Sequence, residues 1–207
     1  IILCRSNSTR LKNKLKLKIN DQSIFKFFFN RISQSKKIDD FIISTTHDKR
    51  DDYFVNFAIK NNLHFFRGSA NNVLSRVKKS IEYLDKKHDI IIRCNADNPL
   101  VMPTVVDEDL IRFGQSSCDF FSPFYKNSTP FGYSFSIFKS ETLLKLSKLK
   151  LKEKYTEHID NYFIENQNKF KILTRYNKQY FCPNLFLTLD TKFDLDRIRY
   201  FALKIKD

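Results

Sequence analysis

The sequence predicts an α/β protein with a doubly wound, mostly parallel mixed sheet and helices on both faces. Three observations carry that prediction. Short, unbroken apolar runs alternate with segments of helical period through the first half of the chain. Their β-α-β-α-β-α-β order is that of parallel strands joined by crossover helices. A length of 207 residues, 42% hydrophobic with 22 Phe, supplies one sizeable core and is short for two. Residues 1–207 therefore read as one domain.

Residues 1–4 (IILC) are the first strand. Residues 23–33 place Ile24, Phe25, Phe28, Phe29 and Ile32 on one helical face. Residues 40–46 (DFIISTT) are a strand, and 51–61 a helix with Phe54, Val55, Ala58 and Ile59 inward. A short strand at 63–66 precedes a helix at 70–84 built on Val73, Leu74, Val77, Ile81 and Leu84. Residues 89–94 (DIIIRC) are the strongest buried strand. Pro103 suits the first turn of a helix over 103–113. The second half is less regular. Strands are expected at 118–122, 133–138, 170–174 and 185–189, and helices at 143–148, 155–166 and 192–205.

Lys and Arg outnumber Asp and Glu by 37 to 23, a formal charge of +14. The lysines are dispersed over the chain, densest at Lys12, Lys14, Lys16 and Lys18, and the phenylalanines fall at buried periodicity. This describes a solvated basic surface suited to a small polyanion rather than a nucleic-acid face. Four cysteines (Cys4, Cys94, Cys118, Cys182) show no CxxC pairing, so reduced thiols and a cytoplasmic location are expected. No apolar run is long enough to span a membrane, and no secretory signal is expected. The chain starts inside a strand without Met and reads as trimmed. With only 3 Gly, tight turns must use Asn, Asp and Ser.

In open α/β sheets ligands sit beyond the carboxyl ends of the strands. After the first strand come Arg5, Ser8, Thr9, Arg10 and Lys14; after DIIIRC, Asn95 and Asp97; after LFLTL, Asp190 and Thr191. Cations and hydroxyls facing two carboxylates fit a magnesium–triphosphate site, because Mg²⁺ takes one or two carboxylates plus phosphate oxygens. There is no Walker loop. Each residue also has a plainer reading. Asp97 can cap a turn, Asp190-Thr191 can cap the last helix, and Arg76 and His158 can be solvated helix residues.

The motifs in order resemble those of the cytidylyltransferases that make CMP-activated sugars, closest to the spore-coat polysaccharide branch. Cys4-Arg5-Ser6-Asn7-Ser8-Thr9-Arg10-Leu11-Lys12-Asn13-Lys14 is similar to A-R-x-G-S-x-R-L-P-G-K. Phe66-Arg67-Gly68-Ser69, running on to Val73-Leu74-Ser75-Arg76, is similar to F-R-G-S-x-x-D-V-L-x-R. Arg93 to Leu100 is similar to R-x-x-G-D-x-P-L, and Leu187 to Thr191 to L-T-V-D-T. Pro130-Phe131-Gly132 and Glu157-His158 fall where the family has a P-x-G turn and an E-H pair.

The resemblance implies a Rossmann-like fold of the nucleotide-diphospho-sugar transferase type. It implies transfer of CMP from CTP to a sugar, expected to be acidic, with release of pyrophosphate. Arg5, Lys14 and Asp97 would be catalytic. Arg5, Ser8, Arg10, Lys14, Arg67, Gly68, Ser69, Arg76 and Asn95 would hold the nucleotide, Asp97 and Asp190 the Mg²⁺, and Gly132, Glu157 and His158 the acceptor sugar. A homodimer is the assembly common in such synthetases. The chain departs from the family at Asn7 and Asn13 (glycines), Lys12 (proline), Ala96 (glycine), Asn72 (an acid), and Ser134 and Ser136, where relatives often carry carboxylates. These changes leave open a paralogue that keeps the fold without the catalysis.

Overall fold

In the computed structural model, which describes residues 1–122, 130–133, 135–175, 182 and 184–205, nine strands and eight helices alternate. The strands are β1 (Ile2–Leu3), β2 (Lys18–Ile19), β3 (Gln22–Ser23), β4 (Ile42–Thr46), β5 (His64–Gly68), β6 (Ile90–Asn95), β7 (Phe120–Phe121), β8 (Phe135–Lys139) and β9 (Ile172–Leu173). The helices are α1 (Ile24–Ile32), α2 (Asp52–Lys60), α3 (Val73–Tyr83), α4 (Pro103–Gly114), α5 (Ser140–Leu146), α6 (Glu153–Glu157), α7 (Ile159–Glu165) and α8 (Lys192–Ala202).

Seven strands form one sheet in the order β5-β4-β1-β6-β8-β7-β9. Only β8 runs against the rest. The chain steps outward from β1 to β4 to β5, then returns to lay β6 on the other side of β1. Strand order therefore reverses between β1 and β6, where a crevice opens at the strand ends.

Consecutive strand residues serve opposite faces. Ile2, Ile43 and Ile92 enter a core with Phe25 and Phe28 of α1, Phe54 of α2, Val106 of α4 and Ile198 of α8. Leu3, Ile42 and Ile91 enter a second core with Val73 and Val77 of α3, Leu143 of α5 and Phe163 of α7. With a core on each side, these strands show no polar alternation. Among the described residues no helix is long and apolar enough to cross a membrane.

Several expectations change. Residues 155–166 form two helices, broken at His158 (φ −111°, ψ 79°). The hairpin β2–β3 is new; it turns on Asn20 and Asp21, both with positive φ (46° and 61°), as a two-residue primed turn requires. Ile59, expected inward, is 59% exposed because it lies one position past the buried stripe that ends at Ala58. Residues 185–189 form no strand ladder. Their extended backbone makes one bridge, Phe131 with Phe186, and the Leu189 N–H turns to the carbonyl of Asp97 (2.9 Å).

Candidate active site

The crevice is a cleft of about 720 Å³ in the size range of small-molecule sites. A smaller cavity of about 400 Å³ lies at the opposite, amino ends of the strands, lined chiefly by isoleucines and a His88–Asp40 pair.

The loop after β1 is tied down at both ends. Ser6 is buried, its N–H donating to Asp51 Oδ1 (2.7 Å) and its hydroxyl to the Arg50 carbonyl (3.0 Å). Asp51, itself fully buried, also accepts from the Thr46 hydroxyl (2.5 Å) and N–H (3.2 Å) at the end of β4. At the far end Asn13 is left-handed (φ 53°, ψ 30°), and the turn after it buries Leu15. Asn tolerates that region best among non-glycine residues. Asn7 and Ala96 keep negative φ, so neither of those lost glycines was needed for a left-handed backbone.

Burial of Leu15 sends Lys14 into the cleft. Its ammonium donates to Asp97 Oδ2 (2.7 Å), the Leu189 carbonyl (2.8 Å) and Asp190 Oδ1 (3.0 Å), which uses all three hydrogens. Arg10 reaches the same Asp190 oxygen at 2.9 Å. Asp190 is not the helix cap. Thr191 caps α8 in a reciprocal box with Asp194, leaving the Asp190 carboxylate to the cleft. The Leu189–Asp97 backbone bond holds the two carboxylate-bearing segments side by side. Gly132 supports this. Its φ is +92°, and a Cβ there would lie 2.2 Å from the Thr188 nitrogen, so only glycine lets the 130–133 turn pack on that segment.

Arg5, Ser8 and Thr9 line the near wall, with Arg5 bonded to the Ala70 carbonyl (3.1 Å) and 3.7 Å from Glu157. Arg76 of α3 also lines the cleft. It is 3% exposed, gives one hydrogen bond to the Ser69 carbonyl, and has no carboxylate partner among the described residues. Its Nε is buried without a partner, and burial pulls its pKa below the usual arginine range. Gly68 makes room for this arginine, since a Cβ there would meet Arg76 Cγ at 2.9 Å.

The predicted residues thus divide. Arg5, Ser8, Arg10, Lys14, Arg76, Asn95, Asp97, Glu157, His158 and Asp190 meet in the cleft. Arg67, Gly68, Ser69 and Gly132 do not line it. Arg67 is held by the carbonyl of Thr46 (3.1 Å) and by Asp52, and Ser69 serves Arg76 and the Asn72 N–H (3.0 Å). Asn72 is the N-cap of α3. Ser134 lies outside the described residues. Sequence reasoning missed Asp51, Arg93, Phe131 and Asp160. The signal for Arg93 was available: an arginine inside an otherwise apolar strand needs a partner, and Asp160 stands 2.9 Å away.

A family model described as Cytidylyltransferase matches residues 1–199. An uncharacterized protein of Methanocaldococcus jannaschii is 35% identical over 193 residues, covering 92% of this chain and 77% of that protein. The spore coat polysaccharide biosynthesis protein SpsF of Bacillus subtilis is 28% identical, covering 96% and 83%. A cytidylyltransferase structure from Leptospira borgpetersenii superposes with a TM-score of 0.90 at 29% identity, covering 100% of this chain and 86% of that one. CMP:2-keto-3-deoxy-manno-octonic acid synthetase complexed with CTP shares the fold, with a TM-score of 0.70 at 14% identity over 98% and 97%.

Proposed function

Because the chain belongs to the cytidylyltransferase family, we propose that its cleft transfers CMP from CTP to a sugar hydroxyl, releasing pyrophosphate and a proton. The product would supply glycan or surface polysaccharide synthesis, in keeping with the spore coat polysaccharide biosynthesis for which the SpsF relative is named. The observation that carries the reading is the meeting of Asp97 and Asp190 on one cationic point, Lys14 Nζ, beside Arg10.

That convergence also tests the fit of a metal. Two carboxylates, each about a third exposed (side chains 32% and 27%), with room for phosphate oxygens, are the donor set Mg²⁺ takes. Asp97 and Asp190 would hold it. When bound, it neutralises phosphate charge and acidifies the acceptor hydroxyl. The chain's own residues do the rest. Arg5, Arg10 and Lys14, with Ser8, hold the β- and γ-phosphates and stabilise the departing pyrophosphate. Arg76 and Asn95 bind the nucleotide, Arg76 as a buried cation that an anion would compensate. Glu157 and His158, at the break between α6 and α7, face the acceptor. The sugar oxygen attacks the α-phosphorus in line as the bond to pyrophosphate breaks, and positioning supplies most of the rate.

Thermal-shift measurements with each nucleoside triphosphate and Mg²⁺ test the reading. CTP at a hundred times its Kd is expected to stabilise the fold by about 2.7 kcal/mol. No response to any triphosphate sinks it. Asp97→Asn is expected to lower kcat by about a hundredfold or more with the fold intact. Near-normal pyrophosphate release in that variant rules out the metal role.

A further inference from the structure

Lys14 Nζ holds the place between the two carboxylates assigned above to the metal. It lies 2.7 Å from Asp97 Oδ2, 3.0 Å from Asp190 Oδ1 and 2.8 Å from the Leu189 carbonyl. Mg²⁺ binds oxygen at about 2.0–2.1 Å. An ion on those two oxygens therefore meets the ammonium that already bridges them, and two cations at that range repel strongly where water is partly excluded. Moving to the other oxygen of each carboxylate gains only the width of a carboxyl group.

The ammonium is not easily displaced. The Lys14 side chain is 11% exposed, so water can replace few of its partners, and all three of its hydrogens are used. Arg10, on the same Asp190 oxygen, differs: its side chain is 66% exposed, and an ion pair so open to solvent is weak. With Lys14 and Arg10 against Asp97 and Asp190, charge at this point is already balanced. A lone divalent ion would strip Lys14 of its acceptors and give it none in return. It would also leave surplus positive charge in a cleft that Arg5 lines as well. A triphosphate reverses both effects. Its oxygens supply new acceptors for the ammonium, and its negative charge offsets the ion.

We infer that Lys14 locks Asp97 to Asp190 against a lone metal ion, and that the ion gains these carboxylates only together with a triphosphate, onto which Lys14 moves. The inference rests on nucleotidyl transfer in this cleft. Linkage makes the coupling reciprocal: the triphosphate raises the ion's affinity by the factor by which the ion raises the triphosphate's. The test measures Mn²⁺ binding without nucleotide, from micromolar to millimolar, by paramagnetic resonance of the unbound ion. It compares wild type, Lys14→Met and Arg5→Met, each shown to be folded by its melting transition. Lys14→Met is expected to bind Mn²⁺ about tenfold or more tighter than wild type, and to melt higher with Mn²⁺ while wild type does not. Lys14→Gln, which lacks the charge but keeps a polar side chain, gives the same comparison if Lys14→Met does not fold. Arg5→Met removes an equal charge from the cleft, but Arg5 contacts the Ala70 carbonyl and Glu157 rather than these carboxylates. It is expected to bind Mn²⁺ as weakly as wild type. Equal Mn²⁺ binding by wild type and the Lys14 variant, including none by either, overturns the lock. So does a gain in Arg5→Met as large as that in Lys14→Met, because net charge alone would then govern the ion. The thermal shift of wild type with CTP and Mg²⁺ is read separately, and its absence overturns instead the nucleotidyl-transfer reading.

Discussion

Arg76 separates stability from function at one residue. It is 3% exposed, hydrogen-bonded only to the Ser69 carbonyl, and makes no close ion pair among the described residues, although the buried Asp51 attracts it at longer range. A buried ion without its counter-ion destabilises, and replacing it with an apolar side chain of similar volume is often neutral or stabilising. Arg76→Met is therefore expected to hold or raise the melting temperature of the free protein. The same change should weaken CTP binding about tenfold or more, because hydrogen bonds to charged groups are worth about 1.5–3 kcal/mol. Differential scanning calorimetry with and without CTP reads both. A variant that loses stability without ligand and keeps its CTP shift would make Arg76 a structural residue. The motif around it was legible in the sequence, but its isolation was not, since the absence of a partner is a property of packing. The neighbouring Arg67 shows the converse. The same motif predicts it to bind nucleotide, yet it is engaged by Thr46 and Asp52 on a different part of the surface.

At the scale of elements, the strands with cores on both faces were the easiest to read, because two-sided burial writes an unbroken apolar run such as DIIIRC. The hairpin β2–β3 has two-residue strands and leaves no run to detect. The break at His158 was hidden for another reason. Tyr155, Ile159, Tyr162 and Phe163 continue one helical period across it, although α6 buries nothing and α7 buries Ile159 and Phe163. The segment at 185–189 alternates like a strand, but its N–H groups go to three separate carbonyls, those of Cys182, Phe131 and Asp97. That division is what brings Asp190 to Asp97, and Gly132 is where it can be broken. Gly132→Ala combines a collision with the Thr188 backbone and a φ of +92°. It is expected to cost about 3 kcal/mol or more. Because it pushes the two carboxylates apart, it should also raise the Mg²⁺ concentration needed for turnover. Urea denaturation and a Mg²⁺ titration of pyrophosphate release measure the two effects. Loss of neither would show that the 130–133 turn does not hold the site together.

Over the whole molecule, a charge of +14 and a sheet buried on both faces pull in different directions with pH. The centre of the sheet carries thiols that resist ionisation. Cys4 follows β1 at the cleft wall, and Cys94 sits beside that strand in β6, paired in register with Ile2. Burial pushes Cys94 from 9.0 up to about 11 and Cys4 higher still. A thiol with a raised folded value keeps its proton in the native state while the unfolded chain releases it. Its contribution to stability is therefore intact below the unfolded value near 9 and is lost as pH rises toward the folded value. Each such thiol steepens the decline by up to about 1.4 kcal/mol per pH unit within that window. Other groups of an unfolded chain ionise in the same range, so the informative quantity is a difference of slopes. Cys94→Ala leaves a small cavity whose cost is the same at every pH, and it removes one titrating group. Urea midpoints from about pH 8 to about pH 10.5 should therefore fall less steeply in Cys94→Ala than in the wild type. Parallel slopes would mean that the Cys94 thiol ionises in the folded protein as readily as in the unfolded chain, and that water reaches the middle of the sheet.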